Sequence, residues 1–179
     1  HAAQAEGGDL QCGAVAVASE GARAHLPEAR RGGALPRVAA VDALLTYTST
    51  TGDSQYATLL SNTLITEATG TNDFMTVHAT GNDDQAWWAL AALSAAETQL
   101  APTGPVPWAT LAQNVFQAQT TRWDKDKCGG GMKWKILPGD GTDGWHYKSS
   151  IANGLFFQMA ARLALLTGSA DIKAWAVKS

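Results

Sequence analysis

The sequence predicts an all-α fold of paired helices, an α/α toroid, and three observations carry that reading. Helices apolar on nearly every face alternate three times with helices apolar along one stripe. Turns inside each pair are short, whereas the connections between pairs, 70 to 82 and 123 to 148, are long. The turn signals also echo each other, "YTSTTGDSQY" at 47 to 56 resembling "ALLTGSADIKAW" at 164 to 175.

The first inner helix is "VAAVDALLTYTSTTGD", apolar on most faces and stopped at Gly52. Its outer partner, "SQYATLLSNTLITEA", sets Tyr56, Leu59, Leu60, Thr63 and Leu64 on one stripe. The second inner helix, "DQAWWALAALSAAETQL", ends near "APTGP". The outer helix after it opens at Pro107, with Trp108, Leu111, Ala112, Val115 and Gln119 in line. The third pair is "SSIANGLFFQMAARLALLTG" followed by "SADIKAWAVK". Within 128 to 148, Met132, Trp134 and Ile136 alternate with Lys133, Lys135 and Leu137 before "PGDG", the pattern of a short β-hairpin. Residues 1 to 36, rich in Ala, Gly and Arg without a sustained period, read as a poorly specified leader, leaving 37 to 179 as the helical domain.

Composition excludes several functions. The chain has 179 residues, 45% of them hydrophobic, enough to bury a core. Net charge is −3 and the basic residues form no stripe, so no nucleic-acid partner is expected. The longest uncharged apolar run, Ala86 to Leu93, is far short of the roughly 18 residues of a transmembrane helix. The first residue is His1, so the absence of a visible secretory signal excludes nothing. Two cysteines, Cys12 and Cys128, fit one disulfide or two free thiols, with no metal-ligand spacing beside either, and no metal or cofactor is expected.

Each long connection returns from an outer helix to the start of the next inner one, so both lie on one face, and function on this scaffold belongs there. On that face "GNDDQAWW" sets Asp83 and Asp84 side by side where an inner helix begins. One reading is local: Asn82 or Asp83 caps the helix and the next acid complements its dipole. The other is chemical. Five of the seven tryptophans, Trp87, Trp88, Trp123, Trp134 and Trp145, fall in or next to loop-face segments. Flat rings stack on sugar faces, while one acid protonates a leaving oxygen and another attacks or activates water. Two carboxyls that close cannot both ionise freely, so one keeps its proton while the helix N-terminus favours the other as carboxylate. Rival motifs fail: Gly129 to Gly131 lack the strand and G-K-[ST] of a phosphate loop, and Trp87 occupies the fifth position of a DDxxD metal motif.

"NDDQAWWALAALSAAE", "RWDKDKCGGGMKW" and "YKSSIANGLFFQMAARLALLTG" resemble, in order, the signature blocks of glycoside hydrolase family 76, the endo-α-1,6-mannanases, and in particular its fungal cell-wall members. The resemblance covers about residues 38 to 179. It implies an (α/α)6 barrel, of which this chain would supply about three of six hairpins, and a retaining mechanism on α-1,6-linked mannan or another mannose-containing glycan. Transfer to a sugar acceptor is the related outcome. By that likeness Asp83 would be the nucleophile and Asp84 the general acid/base. Asn82, Trp88, Gly130, Gly131, Trp134, Tyr147, Lys148 and Asn153 would bind mannose units, and the protein would work in the cell wall or outside the cell. Two departures stand out. Residues 1 to 36 lack the family's aromatic, acid-containing segment, and Leu155 stands where fungal relatives often carry a cysteine, so Cys128 is expected not to be bridged to Cys12. The alternative reading is a truncated, non-catalytic mannan-binding domain.

Overall fold

The computed structural model describes residues 34–76, 79–139 and 145–179. Among them it contains α1 (Ala34–Thr51), α2 (Ala57–Ala68), α3 (Asn82–Glu97), α4 (Trp108–Thr121), α5 (Ser150–Thr167) and α6 (Ala170–Lys178). The helices α1, α3 and α5 lie side by side as an inner row, and α2, α4 and α6 back them as an outer row. This is an all-α toroid fragment. The expected leader lies outside the described residues except for Ala34, Leu35 and Pro36, which open α1.

The middle helix is the best enclosed. Ala86, Trp88, Ala89, Leu90, Ala91, Ala92, Leu93 and Ala95 are all buried, because α3 has neighbours on both flanks and behind. The flanking inner helices are covered less completely. α1 buries Val38, Val41 and Leu45 but leaves Leu35 exposed, and α5 buries Phe156, Met159 and Leu163 while Phe157 and Leu165 face outward. Among the outer helices, the expected α4 stripe is buried as read, with Phe116 beside it. The α2 stripe is rotated: Leu60, Ser61, Leu64 and Ala68 face the core, and Leu59, assigned to the buried side, is 57% exposed. Ser61 takes the inner position because its hydroxyl binds the 100–107 connection, donating to Thr103 Oγ1 at 3.0 Å and accepting from the Thr103 N–H at 2.7 Å.

The echoed turns share a mechanism. Gly52 (φ 75°) and Gly168 (φ 71°) are left-handed and return their N–H groups to Thr48 and Ala164 carbonyls, both at 2.9 Å. Ser169 then caps α6 by accepting from the Ile172 N–H at 3.3 Å.

The short hairpin expected in 128 to 148 takes the form of a single antiparallel bridge, Lys133 with Lys148, and a second bridge joins Gly81 to Lys135. Residues 133 to 135 are therefore the middle of three short extended pieces. The Trp134 N–H donates to Tyr147 at 2.8 Å, the Asn82 N–H to Trp134 at 2.8 Å, and the Ile136 N–H to Thr80 at 3.1 Å. Pairing to two sides ties both long connections to the start of α3. Cys128, expected not to be bridged to Cys12, is disulfide-bonded. It sits exposed at a turn with φ 55°, and the other cysteine of the chain, Cys12, lies outside the described residues.

Candidate active site

The start of α3 is capped by its own acids. Gly81 occupies the N-cap position in an extended conformation and has no side chain to cap with. Its N–H donates instead to Asp84 Oδ2 at 3.0 Å, and the Asp84 N–H donates to Asp83 Oδ1 at 3.1 Å. These bonds satisfy helix-end donors that would otherwise lack partners. A Cβ at Gly81 would overlap Asp83 Oδ1 and stand 3.3 Å from Asp84 Oδ2, so both carboxyls crowd one space and a side chain there would displace the Asp83 carboxyl. The local reading of the pair is thus correct in kind, with Gly81 in the place proposed for Asn82 or Asp83, and it leaves each acid a second oxygen.

The two acids differ in surroundings. Burial raises the Asp84 carboxyl above the usual carboxylate range; the Gly81 N–H opposes the shift, the Asp83 charge adds to it, and Lys135 opposes it again. Asp83 Oδ2 accepts from the Trp134 indole N–H at 3.0 Å. Lys135 Nζ lies 4.5 Å above the Trp134 ring and 3.2 Å from Thr80 Oγ1, which puts one ammonium group beside the pair. Two carboxyls, a cation and an indole donor at a helix N-terminus can hold one acid protonated next to one ionised, the division of labour that general-acid and nucleophilic chemistry needs.

The residues expected to bind mannose separate into two groups. Trp134 (36% exposed) presents its ring outward beside Asp83, and Tyr147 (41% exposed), whose backbone carbonyl accepts from the Trp134 N–H, is exposed next to it in the paired segment. The others are committed to structure. Trp88 is 2% exposed and stacks on Phe74 in the core, with centroids 6.0 Å apart. Its neighbour Trp87 lines a cavity of about 310 Å³ between the inner helices, together with Val38, Asp42, Leu90, Gln158 and Arg162. Asn82 is buried; its Nδ2 donates to the Lys133 carbonyl at 2.8 Å and its backbone carbonyl accepts from Gln119 Nε2 at 2.7 Å. Lys148 Nζ donates to the Asp124 carbonyl at 3.0 Å and to that of Lys127, and lies 3.5 Å from Asp124 Oδ2. Asn153 binds the Met132 backbone. Gly130 (φ 134°) lies against the Trp123 indole, and Gly131 (φ 139°) against Asn153 and Lys148, so these glycines admit side chains of the protein itself.

Several contributors were not legible beforehand. Gln85 is fully buried, donates from Nε2 to the Asp73 carbonyl at 2.7 Å and accepts from Arg122, which anchors the 69 to 81 connection beside the acids. Asp124 holds the second connection through Lys148 and Lys133; the Asp126 N–H and then these lysines keep its carboxyl below the usual range. The only signal for Gln85 was an amide in an otherwise apolar helix. Among the described residues, no group of His, Cys, Asp and Glu is arranged to hold a metal ion, and no helix is long and apolar enough to cross a membrane.

Comparison with known proteins gives a consistent picture. The model of glycosyl hydrolase family 76 matches residues 36–179. A Schizosaccharomyces pombe protein is 41% identical over 143 residues, 77% of this chain and 32% of its own length. The Saccharomyces cerevisiae mannan endo-1,6-alpha-mannosidase DCW1 is 41% identical over 120 residues, 64% of this chain and 26% of its own. The crystal structure of Dfg5 from Chaetomium thermophilum in complex with glucosamine superimposes with a TM-score of 0.72 at 33% identity, covering 79% of this chain and 35% of that one. The chain thus spans about a third or less of the length of these relatives.

Proposed function

The chain belongs to glycosyl hydrolase family 76, and from that premise we propose that it carries the reacting acids of a retaining endo-α-1,6-mannosidase acting on mannan. One observation supports this above the rest: Asp83 and Asp84 reach one Cβ-sized space at Gly81. That is a close pair, compatible with the roughly 5–5.5 Å of retaining glycosidases and not with the roughly 6.5–9.5 Å that inverting enzymes keep for a water molecule.

In this reading Asp84, whose burial favours the protonated form, gives its proton to the glycosidic oxygen while Asp83 attacks the anomeric carbon. The C–O bond to the leaving sugar breaks and a mannosyl ester of Asp83 forms. Asp84, now ionised, removes a proton from water, or from a sugar hydroxyl in the transfer variant, and the ester opens with net retention. Trp134, exposed beside Asp83, and the exposed Tyr147 paired to it offer ring faces to the mannose units. A protein with this substrate works outside the cell or in the cell wall.

Reducing-end release from α-1,6-mannan, with the first-formed anomer followed by NMR, tests the proposal. Retention of the α anomer, lost in both Asp83→Asn and Asp84→Asn while folding persists, supports it. A β first product, or wild-type rates in either variant, overturns it. Mannan binding with no turnover favours the alternative, a non-catalytic mannan-binding domain.

A further inference from the structure

Trp134 is unusually well fixed for a residue with an exposed ring. Its N–H donates to Tyr147 at 2.8 Å and its carbonyl accepts from the Asn82 N–H at 2.8 Å, so the backbone is held on both sides. Asn82 adds a third tie next door, through Nδ2 to the Lys133 carbonyl, and is itself held by Gln119. One face of the indole lies under the Lys135 ammonium at 4.5 Å. The indole N–H then ends on Asp83 Oδ2 at 3.0 Å, while Asp83 Oδ1 accepts from the Asp84 N–H at 3.1 Å. Both oxygens of Asp83 thus receive a donor from a rigid element, which fixes the plane of the carboxylate as well as its place.

We propose that Trp134 is a positioning residue for Asp83: its indole N–H, delivered by the Asn82-anchored 133–135 segment, sets the orientation from which the Asp83 carboxylate attacks. This goes beyond the sugar-stacking role implied for Trp134 by resemblance, and it rests on reading Asp83 as the nucleophile. An N–H aimed at a carboxylate is among the stronger hydrogen bonds, and the cation over the ring draws electron density from it, which strengthens the donor. A free carboxylate rotates about its terminal bond with little hindrance, and this pair of donors removes that freedom before substrate arrives.

The test uses two readouts. In the indole region of a ¹H–¹⁵N spectrum, the Trp134 signal is assigned by its loss in Trp134→Phe. It is expected downfield and slow to exchange in the wild type, displaced upfield in Asp83→Asn, and unmoved in Asp84→Asn. On α-1,6-mannan, Trp134→Phe is expected to lower kcat about tenfold or more with KM within about twofold. An indole signal that ignores Asp83→Asn, or a Trp134→Phe variant that raises KM alone, overturns the proposal. The two readings fail distinguishably: an inactive Asp83→Asn with an unmoved indole signal overturns only the positioning role, whereas wild-type turnover in Asp83→Asn overturns both.

Discussion

Asn153 satisfies both polar groups of the Met132 backbone, accepting from its N–H at 2.8 Å and donating to its carbonyl at 3.0 Å, while the same Nδ2 reaches Ser149 O at 2.8 Å. The first turn of α5 thereby holds the glycine loop in place. A carboxamide this occupied has little left to offer a sugar.

Asn153→Ala leaves the Met132 N–H without its acceptor and is expected to destabilise the fold by about 1–3 kcal/mol. Mannan affinity of the folded protein should change less than in Tyr147→Ala, whose ring is exposed. Urea melts and affinity electrophoresis on both variants check this. A stable Asn153→Ala with strongly reduced affinity would return Asn153 to the sugar-binding set.

The three consecutive glycines should not be equivalent. A Cβ on Gly129 meets nothing within 4 Å, so Gly129→Ala carries only the left-handed penalty of about 1–2 kcal/mol. On Gly130 the same atom would lie 2.6 Å from the Trp123 indole nitrogen, at φ 134°. That indole packs against Phe156 and Trp175 and has little room to yield. Gly130→Ala is therefore expected to cost clearly more than Gly129→Ala in thermal melts, and equal costs would show that the loop relaxes.

Two carboxyls give stability opposite slopes with pH. For Asp84 the folded pKa lies above the unfolded value of 3.8, so stability falls as pH rises from there through the folded value. For Asp124 the folded pKa lies below 3.8, so stability is full above that pH and is lost as pH falls through the lowered value. Urea titrations across this range should show a flatter profile above pH 3.8 in Asp84→Asn and below it in Asp124→Asn. An unchanged upper slope in Asp84→Asn would mean that its burial does not set its ionisation.

Trp88 is expected to behave as a core residue. Trp88→Ala should cost about 3–5 kcal/mol, because its stacking on Phe74 and nearly all its contacts are internal. Trp88→Phe should keep mannan affinity and turnover at a lowered Tm, and a Trp88→Phe that melts normally but loses affinity would contradict the placement.

The alternation of all-round and one-sided apolar helices, and the paired turns at Gly52 and Gly168, were determined by the sequence alone. Periodicity and glycine chemistry act within a few residues, so the helix count, their pairing and the loop face could be read without a structure. The same holds for the acid pair, since its place at the start of an all-apolar helix follows from position along the chain. What tertiary structure alone decided is the occupation of each side chain. Trp87 and Trp88 are adjacent in sequence and about 100° apart on a helix, yet one lines the inner cavity and the other is locked onto Phe74. Leu59 and Ser61 exchange the sides periodicity assigns, because Thr103 rewards a buried hydroxyl. Lys148, Asn153 and Asn82 are polar residues next to a candidate cleft, which in sequence is indistinguishable from ligand binding; only the carbonyls of Asp124, Met132 and Lys133, brought to them from distant segments, show which donors of these side chains the fold itself engages. The pairing of Trp134 with Asp83 has the same origin, joining residues 51 positions apart, and no local pattern encodes a bond that exists only once two loops meet.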